Sequence, residues 1–243
     1  MIFGPVDHLY VAIGLGLIVP IGGWWDYRLF LRRVEAQGDA ALVGEYRYTL
    51  LWLLGIGFGA LGVWLWAGRP LAALGFALPA EGSAAAAAIT VALIIGLLLR
   101  NLFAAVSAGF AQALRAHMGD IEPYLPKTKE QLGWGLAVSV FAGVFEEIAY
   151  RGFLIAYFEA SIGLWGALAA SSLLFGLSHL YQGWQGVVGT SLIGVGLGWL
   201  YLASGSLLLP MVAHTAIDIS SMVAAWMVLR PGAKASPSAP GRS

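Results

Sequence analysis

Seven stretches of this sequence are each long and apolar enough to cross a lipid bilayer, and they constrain the fold more than any other feature. They run near residues 8–25, 48–67, 84–106, 132–155, 162–179, 185–203 and 207–229. A hydrocarbon core about 30 Å thick takes about 20 apolar residues of helix. Inside it no water satisfies free backbone N–H and C=O groups, so each stretch must close its hydrogen bonds within itself. The expected fold is all-α: a polytopic transmembrane helix bundle of about seven spans, with six to eight as alternatives. Hydrophobic residues make up 59% of the chain and charged residues 11%, against about 25% charged in a soluble domain. The apolar run 9–21 is expected to be a retained first span, because Asp7 and His8 stand where a cleaved leader carries basic residues.

Charge sets the expected orientation. Ten of the thirteen Lys and Arg fall in three segments that share one side of a seven-span bundle. These are Arg28, Arg32, Arg33 and Arg47, then Arg115, Lys127 and Lys129, then Arg230, Lys234 and Arg242. Arg69 stands alone on the other side. The excess of positive charge predicts the C-terminus in the cytoplasm and the N-terminus outside. Trp24, Trp25, Tyr27, Trp64 and Trp66 fall near span ends, as interfacial aromatic residues do. A net charge of zero gives no electrostatic case for nucleic acid, and the absence of cysteine excludes thiolate chemistry. The Ala- and Gly-rich composition suggests a bacterial inner membrane. Organisation follows as residues 1–126, three spans and a cytoplasmic connection; 127–229, a four-helix membrane core; and 230–243, a disordered tail rich in Pro, Ser, Gly and Ala. Arg100 and Asn101 interrupt the third stretch. Either it ends near Leu99 and an amphipathic helix follows, or the polar pair lies in the membrane. The segment 111–131 is polar, contains Pro123 and Pro126, and is expected at the cytoplasmic surface. Gly186, Gly189, Gly194, Gly196 and Gly198 give the sixth stretch a small face on which a neighbouring helix can pack closely.

Three stretches each carry a costly ionisable group. The fourth reads Phe145-Glu146-Glu147-Ile148-Ala149-Tyr150-Arg151. An ionised acid at mid-membrane costs about 2.5–3.5 kcal/mol on insertion scales. Glu147 and Arg151 are four residues apart on one helix face and can pair. Glu146 is turned about 100° away, which leaves it without that partner and suited to the work of a general base. The fifth stretch ends Phe175-Gly-Leu-Ser-His179, with Phe175 one turn before the histidine as a wall. The seventh carries His214 and Asp218, again four apart, where a carboxylate can fix the tautomer of an imidazole. His8 and His117 lie in polar end segments and read as ordinary solvated residues. A glutamate and two histidines suit activation of water and stabilisation of an oxyanion. Buried Glu and His also serve proton-coupled transporters, though no internal repeat of the kind such proteins show is visible.

The ordered set Glu146-Glu147-x-x-x-Arg151, Phe175-x-x-x-His179 and His214-x-x-x-Asp218 resembles the signature of the CAAX protease and bacteriocin-processing (Abi) family over residues 127–229. The resemblance implies a glutamate-type intramembrane endopeptidase whose partners are the bilayer and a membrane-associated protein or peptide substrate. On it, Glu146 and His179 would activate water, His214 and the residue at 218 would stabilise the oxyanion, and Glu147 and Arg151 would brace the site. A catalytically silent member acting as a scaffold or immunity protein is a further alternative. The sequence departs from the family at Asp218, where the best-known members carry Asn. An ionised carboxylate donates no hydrogen bond. Asp218 would then be protonated, or orient His214, or help hold a metal. No cofactor is expected, with zinc the alternative: Glu146, His179, His214 and Asp218 include a legitimate His/carboxylate ligand set. The predicted spans put Glu146 nearer the outer half and His179 nearer the inner end, unless the fourth span begins later. No His-Glu-x-x-His, Gly-x-Ser-Gly or Gly-x-Gly-Asp signature of other membrane peptidases occurs.

Overall fold

The computed structural model describes residues 1–232. The expected tail beyond residue 232 lies outside the described residues. Helices account for nearly all the rest, and no strand occurs among the described residues. In chain order they are α1 (Pro5–Leu9), α2 (Val19–Gln37), α3 (Ala41–Trp66), α4 (Ala84–Val106), α5 (Ala108–Ala116), α6 (Lys129–Glu147), α7 (Ile155–Leu177), α8 (Gly183–Ser204) and α9 (Leu208–Leu229). Two π-helical segments join neighbours without a break, Tyr10–Ile18 between α1 and α2 and Ile148–Leu154 between α6 and α7.

Five segments are long and apolar enough to cross a membrane: Pro5–Trp66, Ala84–Val106, Lys129–Leu177, Leu180–Ser204 and Leu208–Leu229. The first holds two rods, divided by the turn at Gly38–Ala40. The third also holds two, because Gly163 takes a positive φ of 73° inside α7, a conformation that suits glycine. The expected bundle of about seven spans follows. Two boundaries differ. The first rod runs on helically to Gln37, so Arg28, Arg32 and Arg33 sit on helix and not in a loop. The fourth rod continues past residue 155 to the Gly163 kink.

The polar pair Arg100–Asn101 does not end the third helix, since α4 runs unbroken to Val106. Arg100 donates to Ser220 Oγ on α9 at 2.8 Å, and Asn101 Nδ2 donates to the Ser220 carbonyl at 3.2 Å. Hydrogen bonds to the next helix therefore take the place of a helix end. The segment after it folds as α5 and a 3₁₀ turn, Gly119–Tyr124, and packs Met118 and Leu125 against Ala225 and Val228 of α9. Lys127 pairs with Asp39 at 2.7 Å, and Tyr46 donates to the Tyr124 carbonyl at 2.7 Å. These contacts gather the Gly38–Ala40 turn, the 117–131 connection and the end of α9 at one end of the bundle. At the opposite end Arg69 pairs with Asp7 at 2.7 Å, both buried, and lies over the Phe3 and Trp64 rings.

The largest apolar cluster combines Val11, Leu15 and Val19 of the first rod, Ile56, Ala60 and Trp64 of α3, and Ile148, Tyr150, Phe153 and Leu154 after α6. Glycines set the closest approaches. A Cβ at Gly143 on α6 would lie 2.8 Å from Thr215 N and 3.0 Å from its Cα on α9. Gly57 gives Phe145 its place, and Gly194 lies against Ser172 and Phe175. Without hydrophobic drive between helices in lipid, such close backbone contact is what holds them.

Candidate active site

The Gly143–Thr215 contact has a direct consequence one turn along. It lets the glutamates of α6 reach across to His214 of α9. Glu147 is fully buried and accepts at Oε1 from Arg151 at 2.9 Å and from His214 Nδ1 at 2.7 Å. Arg151, 1% exposed, also reaches the Gly194 carbonyl at 3.4 Å and lies 4.1 Å over the Phe175 ring. The guanidinium is thus held by a carboxylate, a carbonyl and an aromatic face, and the predicted i,i+4 pair is present.

The partners of His214 differ from the expectation in one respect. Glu147, not Asp218, takes Nδ1. Asp218 Oδ2 lies 3.6 Å from Nε2 on the same helix face. Residues four apart share a face, but a buried carboxylate anchored by its own arginine comes closer to Nδ1 across the helix interface. A carboxylate only accepts, so Nδ1 carries the hydrogen. His214 Nε2 then faces Glu146 Oε2 and Asp218 Oδ2, each at 3.6 Å.

His179 follows the end of α7. Its Nδ1 lies 3.0 Å from the Phe175 carbonyl, which can only accept, so in the neutral ring Nε2 carries the lone pair. Phe175 stands between the two imidazoles, with ring centroids 5.0 Å from His179 and 5.6 Å from His214. Glu146 and His179 line one cavity of about 770 Å³ of empty space. The depth mismatch drawn from the predicted spans disappears. Glu146 lies 17 residues before Gly163 and His179 lies 16 after it. At about 1.5 Å per residue both hang at nearly the same level below the kink.

Glu146 is nine-tenths buried and is bound to no hydrogen-bond donor among the described residues. Its carboxylate, the His179 ring and the space between them can hold and polarise a water molecule. Among the described residues no group of three His, Asp or Glu side chains is set to hold one ion; His214 meets Glu147 at Nδ1 and turns Nε2 toward Glu146 and Asp218. His8 and His117 are exposed, as expected, and bond Tyr157 and the Ala113 carbonyl.

The far wall of the cavity comes from helices that carry no motif. Gly22, Asp26 and Tyr27 of α2 and Glu45, Tyr48 and Trp52 of α3 face it, with Tyr124 and Tyr181. Glu45 is buried and pairs with Arg33. Burial holds the Tyr124 phenol well above its usual range, so it stays a neutral hydroxyl beside Thr49. A second cavity of about 630 Å³, lined by Tyr10, Leu15, Ile18 and Leu51, shares Val19, Tyr48, Trp52 and Ile56 with the first. None of these residues belongs to a motif in the sequence, although Tyr181 stands two positions after His179.

Fold and site together define an integral membrane protein with a glutamate–histidine centre buried among its helices. Residues 128–220 match the family described as Rce1-like, type II CAAX prenyl endopeptidase. The match covers less than half of the chain, and the family it describes is one of endopeptidases. Among curated proteins and among solved structures nothing matches the chain.

Proposed function

We propose that this protein is a glutamate-type intramembrane endopeptidase that cuts a protein or peptide beside a hydrophobic helix, as in removal of a C-terminal sorting tail or a leader. The observation that carries the reading is Glu146: a buried carboxylate with no hydrogen-bond donor of its own, in one cavity with the free nitrogen of His179. A buried acid inside a membrane span with no donor at hydrogen-bond distance is costly unless it has work to do. The adjoining apolar cavity between the first rod and α3 supports a substrate that arrives from the bilayer.

In this reading a water molecule sits between Glu146 and His179 Nε2. Glu146 takes one of its protons as the oxygen bonds to the peptide carbonyl carbon, and the C=O π pair moves onto the carbonyl oxygen. His214, as the imidazolium, donates from Nε2 to that oxyanion, with its ring held at Nδ1 by Glu147 and, through Glu147, by Arg151. On collapse the C–N bond breaks and the proton held by Glu146 passes to the leaving amine. One water is consumed, a carboxylic acid and an amine are released, and Glu146 returns to its starting form. Asp218 flanks His214 Nε2 and orients the ring from the other side. No metal takes part.

Purified protein in proteoliposomes, given a panel of fluorogenic peptides with hydrophobic C-terminal or leader helices, tests the reading. Glu146→Gln should lower kcat by about 10²–10⁴-fold, the usual contribution of a general base, with an unchanged elution profile and thermal transition. Exhaustive chelation should leave the wild-type rate unchanged. Undiminished cleavage by Glu146→Gln defeats the proposal. A chelation loss restored by zinc would recast the histidines and Asp218 as ligands.

A further inference from the structure

The tetrahedral oxyanion of this reaction needs hydrogen-bond donors at about 2.7–3.1 Å, and the helices around the site supply few. Asp218 is a carboxylate and has no N–H to give. The backbone amides of His179 and Gln182 are already committed, to the Gly176 and His179 carbonyls at 3.0 and 2.9 Å. With Nδ1–H committed to Glu147, His214 Nε2 is a donor only as the imidazolium, a form that the three carboxylates around the ring would accompany. Among the hydroxyl side chains that line the cavity, that of Tyr181 belongs to a ring set directly against His179.

Tyr181 belongs to the turn Leu180–Gln182 that follows His179. Its ring is wedged between three others, with centroids 5.4 Å from Tyr27, 6.3 Å from Tyr124 and 5.8 Å from His179. Packing on three sides fixes the direction of the phenol without help from the substrate. The hydroxyl oxygen accepts from Gln182 Nε2 at 3.0 Å. An amide nitrogen has no lone pair to offer, so this bond leaves the hydroxyl hydrogen unspent and free to be donated. Tyr181 lines the same cavity as Glu146 and His179.

We infer that Tyr181 is a further catalytic residue: its hydroxyl donates a hydrogen bond to the oxyanion, supplying the donor that a carboxylate at position 218 does not. The inference rests on the peptidase reading above. Gln182 acts as a positioning residue by holding the phenol oxygen from behind.

Tyr181→Phe removes the hydroxyl and keeps the ring with its three neighbours. With the panel peptide that the wild type cleaves fastest, kcat should fall about 100-fold, the usual effect of losing one oxyanion donor, while KM changes less than threefold. Affinity for a peptidyl phosphinate built on the same peptide should weaken by a similar factor, and binding of the uncleaved peptide to the Glu146→Gln protein should not change when Tyr181→Phe is added. An unchanged thermal transition shows that the ring packing survives. A kcat within twofold of wild type, or a loss confined to KM, overturns the assignment. Should Glu146→Gln be inactive while Tyr181→Phe cleaves and binds phosphinate normally, only the role of Tyr181 fails. Should the wild type neither cleave the panel nor bind the phosphinate, the peptidase reading fails and this inference with it.

Discussion

Arg151 shows how one side chain can be structural and still govern chemistry. It touches no part of the cavity, yet it anchors Glu147, and Glu147 holds His214 by Nδ1. Removing one partner of a buried ion pair leaves the other charge without compensation and costs about 3–5 kcal/mol, whereas replacing both with apolar groups is often close to neutral. Arg151→Leu should therefore lower the thermal transition sharply. Glu147→Leu combined with Arg151→Leu should recover most of that loss. Activity should stay low in both: in the single variant Glu147 loses the arginine that anchors it, and in the double variant His214 loses its acceptor at Nδ1. Thermal unfolding in detergent and cleavage of the panel peptides, measured on the same preparations, separate the two effects. Recovery of cleavage in the double variant would show that His214 needs no such hold.

At the scale of elements, the approach of α6 to α9 decides whether the site exists. Gly143→Ala would place a methyl 2.8 Å from a backbone nitrogen of Thr215, and backbone cannot swing aside as a side chain can. The helices must separate by a fraction of an ångström or more, carrying Glu146 and Glu147 away from His214. A displacement near 1 Å can cost about 100-fold in rate, so cleavage should fall by about that factor. Gly133→Ala lies on the same helix with nothing within 4 Å. It should keep full activity and gain up to about 1 kcal/mol from helix propensity. Equal rates for both variants would separate helix spacing from catalysis. This layer also marks what sequence could and could not convey. Helix-period arithmetic found Glu147 with Arg151, since both lie on one helix. It offered Asp218 for the same reason as a carboxylate that could fix the histidine tautomer, whereas the closer contact, Glu147 at Nδ1, runs between helices. The shared depth of Glu146 and His179 depended on a kink at Gly163, and a glycine in an apolar run does not declare whether it bends.

For the molecule as a whole, hydropathy revealed the bundle because lipid forbids nearly every alternative. It gave no hint that α2 and α3 form half of the cavity, since their lining residues repeat no pattern and bind no motif partner. Orientation is the remaining property at this scale, and it follows from charge. The structure brings the basic connections at 28–47 and 115–129 together at one end of the bundle through the Lys127–Asp39 and Tyr46–Tyr124 contacts. We expect that end to face the cytoplasm, because short loops rich in Lys and Arg are retained there. The chain has no cysteine, so single substitutions report without background. Ala36→Cys and Glu130→Cys lie exposed at the basic end, Glu81→Cys and Ser161→Cys exposed at the other. On intact cells an impermeant maleimide should label positions 81 and 161 and reach 36 and 130 only after permeabilisation. The reverse pattern would invert the topology and place the C-terminal end of α9 outside. A split between 36 and 130 would mean that the rods between them cross an odd number of times, and the seven-rod count would have to be revised.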